Sequence, residues 1–446
     1  MTLRLPRYHS LFLAALLLFA GKATLAQDWV RTGTGLGVDK PRLAVADFAA
    51  RNDATKNHSA LFTQVVRDDL QFSGILELVS PSFYPQQMPS VPAELKNLAW
   101  TDQPVNASLV AFGNLNESSA EVEIQAWLYD VKSPSSQAVI GKVYRGAPTD
   151  PQVRKFAHQF ADEIISRLSG GLPGIASTQI AFVSSRGGTK EIWAMDYDGA
   201  NQHPLTSLHT ISLTPRWSPD ASRIAFTCFA SASGVVSPQL CMYSVDANKV
   251  VSFPRFRGTN SSPAWSPDGS QIIFSSSMLG NPELFVTDAS GGHPKRLTFS
   301  NGASTSPAWN PKTGQTVVFV SDRGGIPKLF MMNADGTNSA ELDVPDKGYL
   351  IDPAWAPNGQ LLAFSWRRPE GNYDIYLMDA ATSKIVEITR DTGRNERPSW
   401  APDGRHIVFE STRGGTRQIW TMLADGSQSH QLTMTGHNES PNWSSH

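Results

Sequence analysis

A serine nucleophile of the exported-hydrolase kind would stand in Gly-x-Ser-x-Gly, a tight strand-to-helix turn that exposes the hydroxyl. The nearest string, Gly302-Ala303-Ser304-Thr305-Ser306, lacks the last glycine. A zinc hydrolase would carry His-Glu-x-x-His, which puts two ligands one helical turn apart, and none of the ten histidines has that setting. There is no Gly-x-x-x-x-Gly-Lys-Ser/Thr loop to cradle a phosphate. Gly33-Thr34-Gly35-Leu36-Gly37 is glycine-rich but precedes the first predicted strand instead of following one, so its amides would not open a helix against a ligand. Two cysteines are too few for a cysteine-based zinc cluster or a disulfide-dense scaffold. No catalytic residue, cofactor or metal site is therefore expected. Paired acids of the glycosidase kind have no local signature, so that chemistry stays open. Charge excludes another class: 38 Lys and Arg against 40 Asp and Glu leave a formal charge of −2, with no global attraction for nucleic acid or anionic membrane.

The strongest signal along the chain is a repeat. Pro-Arg-Trp-Ser-Pro-Asp starts at Pro215, Pro-Ala-Trp-Ser-Pro-Asp-Gly at Pro263, and Pro-Ala-Trp-Asn-Pro at Pro307. Pro-Ala-Trp-Ala-Pro-Asn-Gly follows at Pro353, Pro-Ser-Trp-Ala-Pro-Asp-Gly at Pro398, and Pro-Asn-Trp-Ser at Pro441. The tryptophans are spaced by 48, 44, 46, 45 and 43 residues. Each period continues with a Pro-Asp-Gly type turn, then a short apolar run such as Ile272-Ile273-Phe274 or Ile407-Val408-Phe409. A loop, a second run and an Asp-Gly turn complete it. Four short strands in about 45 residues is the size of a propeller blade, and the runs are too short and too broken for a helical solenoid. The array starts at Ile180-Ala181-Phe182 with no Pro-x-Trp unit and ends at Pro441-Asn442-Trp443 with no strand after it. The two fragments complement each other. The last strand should enter the first blade and close a six-bladed ring over residues 175–446, leaving no open edge. The repeated Trp and Phe then read as packing between blades.

Ahead of the ring, residues 41–170 lack the repeat and read as a small α/β domain. Strands are expected at Arg42 to Phe48, Ile75 to Val79, Leu109 to Phe112, Val122 to Tyr129 and Val139 to Tyr144. One helix is expected after a cap region at Asn57-His58-Ser59. A second opens with Asp150 as cap and Pro151 in the first turn, its apolar face being Val153, Phe156, Ala157, Phe160, Ile164 and Leu168. Residues 27–40 are polar and glycine-rich, and read as a mobile arm. Residues 1–26 read as a signal peptide: Arg4 and Arg7, an apolar run from Leu11 to Ala20, and small residues up to a cut after Ala26. The run is about half a bilayer long, so membrane insertion is not expected. Cys228 and Cys241 flank the loop between two successive strands of the second blade. An exported compartment permits a disulfide there, yet two small buried residues are the preferred reading, since only some cross-strand positions have bonding geometry.

The signal peptide, the α/β domain, the six repeats, the opening Pro41-Arg42-Leu43-Ala44-Val45-Ala46-Asp47-Phe48 and the helix ending Leu168-Ser169-Gly170 together resemble the TolB family. The resemblance covers essentially the whole chain after the leader. It implies a periplasmic, monomeric, non-enzymatic binding protein of the Tol-Pal system. Its partners would be the lipoprotein Pal and TolA, and its role outer-membrane integrity and constriction during division. The rival is an exported propeller enzyme of peptidase or glycosidase type. The loops before each Pro-x-Trp converge on the channel mouth and differ between blades, so a Pal site is expected there. Its candidates are Thr259, Ser262, Thr305, Asp352, Asn395, Glu396, Asn438 and Glu439. Thr259, Ser262 and Thr305 match the family's Pal-contacting positions, although some members carry His where this chain has Thr259. Glu396 and Glu439 are expected to pair with a partner's Lys or Arg. The arm, with Asp28, Trp29, Arg31 and Lys40, is the expected TolA contact.

Overall fold

The computed structural model describes residues 40–133, 138–232, 235–345, 348–369, 371–390 and 392–446. The leader and the arm residues Asp28, Trp29 and Arg31 lie outside the described residues; Lys40 is exposed at the entrance to the first strand.

The first domain is a mixed sheet built on strands Arg42–Val45, Glu77–Leu78, Leu109–Glu117, Val122–Asp130 and Ala138–Gly146. Arg42–Val45 lies between Glu77–Leu78 and Leu109–Glu117, parallel to both, and the last three strands form an antiparallel meander. Helices Lys56–Phe72 and Asp150–Leu168 pack against the sheet, where Phe62, Val66, Leu70, Phe160 and Ile164 are fully buried. Both helix starts differ from the sequence expectation. The first begins at Lys56, run into by a 3-10 turn that Asn52 caps by accepting the Thr55 N–H. In the second, Thr149 holds the cap position without a side-chain bond, and Asp150 already lies in the first turn, where its carboxylate meets His58 Nε2 at 3.1 Å.

The second domain is the closed six-bladed ring. Blades two to six are four-stranded antiparallel sheets starting at Ser212, Asn260, Ser304, Tyr349 and Asn395. Blade one is made by Gln179–Ser184, Glu191–Asp196 and His203–Pro204 with the C-terminal strand Asn438–Trp443 on their inner side. Trp443 pairs with Ile180 and Asn438 with Ser184, and Ser444 and Gln179 exchange two bonds, at 2.8 and 2.9 Å. The Pro-x-Trp strands are the innermost of every blade and pack against one another around the axis. Trp265 Nε1 donates to the Arg216 carbonyl of the preceding blade at 3.1 Å, and Trp400 Nε1 to that of Ala354 at 3.1 Å. At these two positions the tryptophan is both inter-blade packing and an inter-blade bond.

Cys228 and Cys241 are joined in a disulfide, against the preferred reading of two free buried residues. They are diagonal neighbours, Cys228 lying opposite Gln239 and Cys241 opposite Phe226, with Cα atoms 5.8 Å apart, inside the range that a bond needs.

The two domains meet on the face of the ring that carries the Pro-Asp-Gly turns. Arg405 Nη1 donates to Ser73 O at 2.7 Å, and His406 Nε2 donates to Phe72 O at 3.1 Å with its ring stacked on Phe72. Arg154 pairs with Asp198 at 2.7 Å. Asp69 accepts from Tyr197 Oη at 2.6 Å and meets His158 Nδ1 at 2.8 Å, all three being buried. The α/β domain thus holds blades one and six and leaves the opposite, loop-bearing face open.

Candidate protein-binding site

Each inner strand breaks its ladder just before Pro-x-Trp. The register shifts there in all six blades, and the residue preceding the proline is left-handed: Thr214, Ser262, Ser306, Asp352, Arg397 and Ser440, with φ between 49° and 54° except 55° at Arg397. A bulge is where a strand tolerates a proline, which has no N–H for the ladder. Non-glycine residues at positive φ cost about 1–3 kcal/mol each and persist only where the surroundings fix them. Here the neighbouring blade supplies part of the fixing. Ser262 N–H donates to Thr227 Oγ1 at 3.1 Å, Arg397 N–H to Ser365 Oγ at 3.0 Å, and Ser440 N–H to Glu410 Oε2 at 2.7 Å. This ring was missed in the sequence, although its signal was present: the residue before each Pro-x-Trp is polar in all six repeats.

The predicted residues of the channel mouth fall into four groups. Thr259 is exposed, and its hydroxyl donates to Ser277 Oγ at 3.0 Å; Thr305 is half-buried one residue before the bulge. Ser262 and Asp352 belong to the left-handed ring itself. Asn395 and Asn438 are fully buried, so as candidate contacts they are corrected. Asn395 Nδ2 donates to Asp374 at 2.9 Å, and Asn438 Nδ2 to Gln418 Oε1 at 2.7 Å; like Asn260 in blade three, they spend their amides shaping the loop. A short polar residue that satisfies turn backbone and a neighbouring strand looks, in sequence, identical to one that faces a partner.

Glu396 and Glu439 come together with Glu410 around one guanidinium. Arg417 reaches Glu439 at 3.1 Å, Glu410 at 3.4 Å and Glu396 at 3.6 Å. Arg394 adds bonds to Glu396 at 2.8 and 3.0 Å, Lys190 bonds Glu439, and Arg397 bonds Glu410 at 3.1 Å. The acids lie underneath and the cations on top: side-chain exposures are 2%, 9% and 11% for Glu410, Glu396 and Glu439, against 46% for Arg394 and 41% for Lys190. Burial drives the Glu410 carboxyl up, only partly opposed by Arg397 and Arg417. Burial acts the same way on Glu439, but Lys190, Arg397 and Arg417 outweigh it and hold that carboxyl below its ordinary range. Asp352 is raised by burial, with Arg397 and Arg216 pulling down and Glu396 pushing up. A recess of about 230 Å³ opens beside this cluster, lined by Val183, Ser185, Lys190, Arg417, His437 and Glu439. Among the described residues, no group of three or more His, Cys, Asp or Glu is placed to hold a metal, and no helix is long and apolar enough to cross a membrane.

Fold and site define a two-domain, six-bladed β-propeller protein whose charged loop face stands clear of its α/β domain. Comparison with known proteins agrees. Residues 167–350 and 342–446 match the family model described as the TolB beta propeller domain, and residues 34–137 that of the TolB amino-terminal domain. The chain belongs to the TolB family. It is 29% identical over 413 residues to the Tol-Pal system protein TolB of Bordetella pertussis, covering 92% of this chain and 89% of the relative. It is 33% identical over 261 residues to the TolB homolog of Chlorobium chlorochromatii, a match that spans 58% of this chain and just over half, 56%, of that relative. The crystal structure of TolB from Acinetobacter baumannii shares the fold at a TM-score of 0.76 and 24% identity, covering 91% of this chain and 97% of that one.

Proposed function

We propose that this protein is a periplasmic, non-catalytic docking component of the Tol-Pal system, which binds Pal on the loop face of its propeller and TolA through the arm at residues 27–40. On this reading it supports outer-membrane integrity and constriction during division. The observation that carries the Pal site is the cluster around Arg417: a rigid ring whose convergent loops end in cations held in place by buried acids. Glu396 and Glu439 then act by positioning Arg394, Arg417 and Lys190. The complementary surface on the partner is acidic, where the sequence alone pointed to a basic one. Thr259, Ser262, Thr305 and Asp352 line the same mouth as polar contacts. For the arm, Lys40 and the more distal Asp28, Trp29 and Arg31 are the proposed contacts.

The test is calorimetric titration of Pal into the protein and into two double variants. Glu396→Ala with Glu439→Ala should weaken Pal binding about tenfold, because Arg394, Arg417 and Lys190 lose the acids that hold them in place for the partner. Asp335→Asn with Asp425→Asn, on exposed turns of the opposite face, should leave it unchanged. The reverse pattern would place Pal on the other face. Deletion of residues 28–40 should abolish TolA binding and spare Pal.

A further inference from the structure

The channel has a second end. On the turn face, away from the charged loops, a cavity of about 310 Å³ opens along the axis, walled by Trp217, Trp265, Trp309, Trp355, Trp400 and Trp443 and the prolines around them. That volume is at the small end of what small-molecule sites occupy. Its floor is set by the middle residue of each Pro-x-Trp unit. Five of the six are small, Ala264, Ala308, Ala354, Ser399 and Asn442; the sixth is Arg216. Asn442 and Ser399 are committed to the ring, because Asn442 Oδ1 accepts the Trp217 N–H at 2.8 Å and its Nδ2 donates to Ser399 Oγ at 3.2 Å. Arg216 is not. One of its N–H groups donates to the carbonyl of Pro215 at 2.9 Å, and among the described residues no side chain accepts from it and no carboxylate lies within ion-pair distance.

Enclosure by the ring pushes the Arg216 guanidinium down to about 10; Asp352 opposes this through space and Arg397 adds to it. Arg216 is half-buried and lines this cavity as a planar cation whose remaining donors are free. Guanidinium presents a fork that matches a carboxylate. The surrounding tryptophan, proline and alanine surface suits an apolar body attached to that carboxylate. Arg397, the other channel cation, already has Glu410 at 3.1 Å.

We infer that the turn-face end of the channel is a binding site for a carboxylate bearing an apolar body, with Arg216 holding the carboxylate and the tryptophan ring the body. Both a free small acid and the C-terminal residue of a peptide have this chemistry. The cavity opens at the other end of the channel from the loops proposed for Pal; Asp352 of that mouth acts on Arg216 through space, and the two readings are tested with different ligands.

The probe is N-acetyl-phenylalanine, with its neutral amide, N-acetyl-phenylalaninamide, as control, titrated into the full chain and followed by tryptophan fluorescence and calorimetry. The acid should bind about ten- to a hundredfold more tightly than the amide, the range for a charge-assisted bond made in an enclosed site. Arg216→Gln should bring acid and amide to parity, and Arg216→Lys should keep part of the preference. Ala354→Leu, which fills the floor without touching the charge, should weaken both ligands. A tripeptide ending in phenylalanine that binds more tightly than the acid assigns the site to chain ends; weaker binding assigns it to free acids. Equal binding of acid and amide by the unaltered chain, which needs no variant to fold, would overturn the inference. So would a preference that survives Arg216→Gln.

Discussion

Replacing Asp69 by alanine should uncouple the two domains. Asp69 leaves the helix Lys56–Phe72 with its side chain 1% exposed, and takes a bond from Tyr197 of blade one at 2.6 Å and one from His158 of the second helix at 2.8 Å. Burial raises the Asp69 carboxyl, and His158 and Tyr197 only partly undo this. Burial alone would lower the His158 ring, but the bond and charge of Asp69 more than reverse it. His158 Nε2 is buried without a partner, so the ring has no second anchor. Alanine strands both the Tyr197 hydroxyl and the His158 ring, and breaking a buried pair in this way costs about 3–5 kcal/mol. Asp69→Asn keeps an acceptor for Tyr197 and should cost about 1–2 kcal/mol. In scanning calorimetry Asp69→Ala should split the unfolding transition, with the α/β domain released first and the linker at 169–174 newly open to limited proteolysis. The pH dependence has a definite sign. Both groups are raised in the folded state, so the folded protein binds the extra protons. The contribution of His158 is full below its unfolded value of about 6.5 and is lost as pH rises through the raised folded one; that of Asp69 is likewise lost as pH rises from about 3.9. Asp69→Ala should flatten the slope near neutral pH. One unsplit transition within about 0.5 kcal/mol of the unaltered chain, with the slope intact, would refute the reasoning.

Two further outcomes are expected. Reduction of Cys228–Cys241, or Cys228→Ser with Cys241→Ser, frees a cross-link between positions 13 residues apart and should cost about 3 kcal/mol, read as a lower unfolding midpoint with Pal binding unchanged. Ser306→Gly removes a side chain from a left-handed position where it makes no bond of its own, and should be neutral or stabilising by up to about 1 kcal/mol in denaturant titration; a clear loss would mean that the Ser306 hydroxyl is used.

How much of this could be read in the sequence follows from the range of each interaction. The blades are local: a turn, an apolar run and an Asp-Gly pair repeat within one period, and Ile224-Ala225-Phe226 or Ile407-Val408-Phe409 lie at the buried positions their pattern implies. Closure was legible because two incomplete fragments, at Ile180 and Trp443, fit only each other. Helix ends were less legible. By type Asp150 is the better cap, yet the backbone puts Thr149 at the cap position and Asp150 in the first turn. Contacts set by register were not legible at all. Whether Cys228 and Cys241 can bond depends on which residues of two strands lie opposite each other, and a shift by one residue would turn them to different faces. The same holds for Glu396 and Glu439. Their type suggested free charges awaiting a basic partner, and only the packing of blades six and one reveals Arg417 between them.

That cluster also joins the binding face to the closure of the ring. Glu439 and Ser440 arrive on the C-terminal strand, Lys190 lies 249 residues away in blade one, and Glu396, Glu410 and Arg417 belong to blade six. Before Asn438–Trp443 docks, Arg417 lacks one of its three acids, Glu410 lacks the Ser440 N–H, and the recess beside Glu439 has no second wall. The left-handed backbone at Ser440 faces the same condition, because its strain is tolerable only with that bond in place. A ring left open would therefore lose part of its sheet together with the charge arrangement of its loop face. The mouth proposed for a partner is assembled by the same strand that completes the fold.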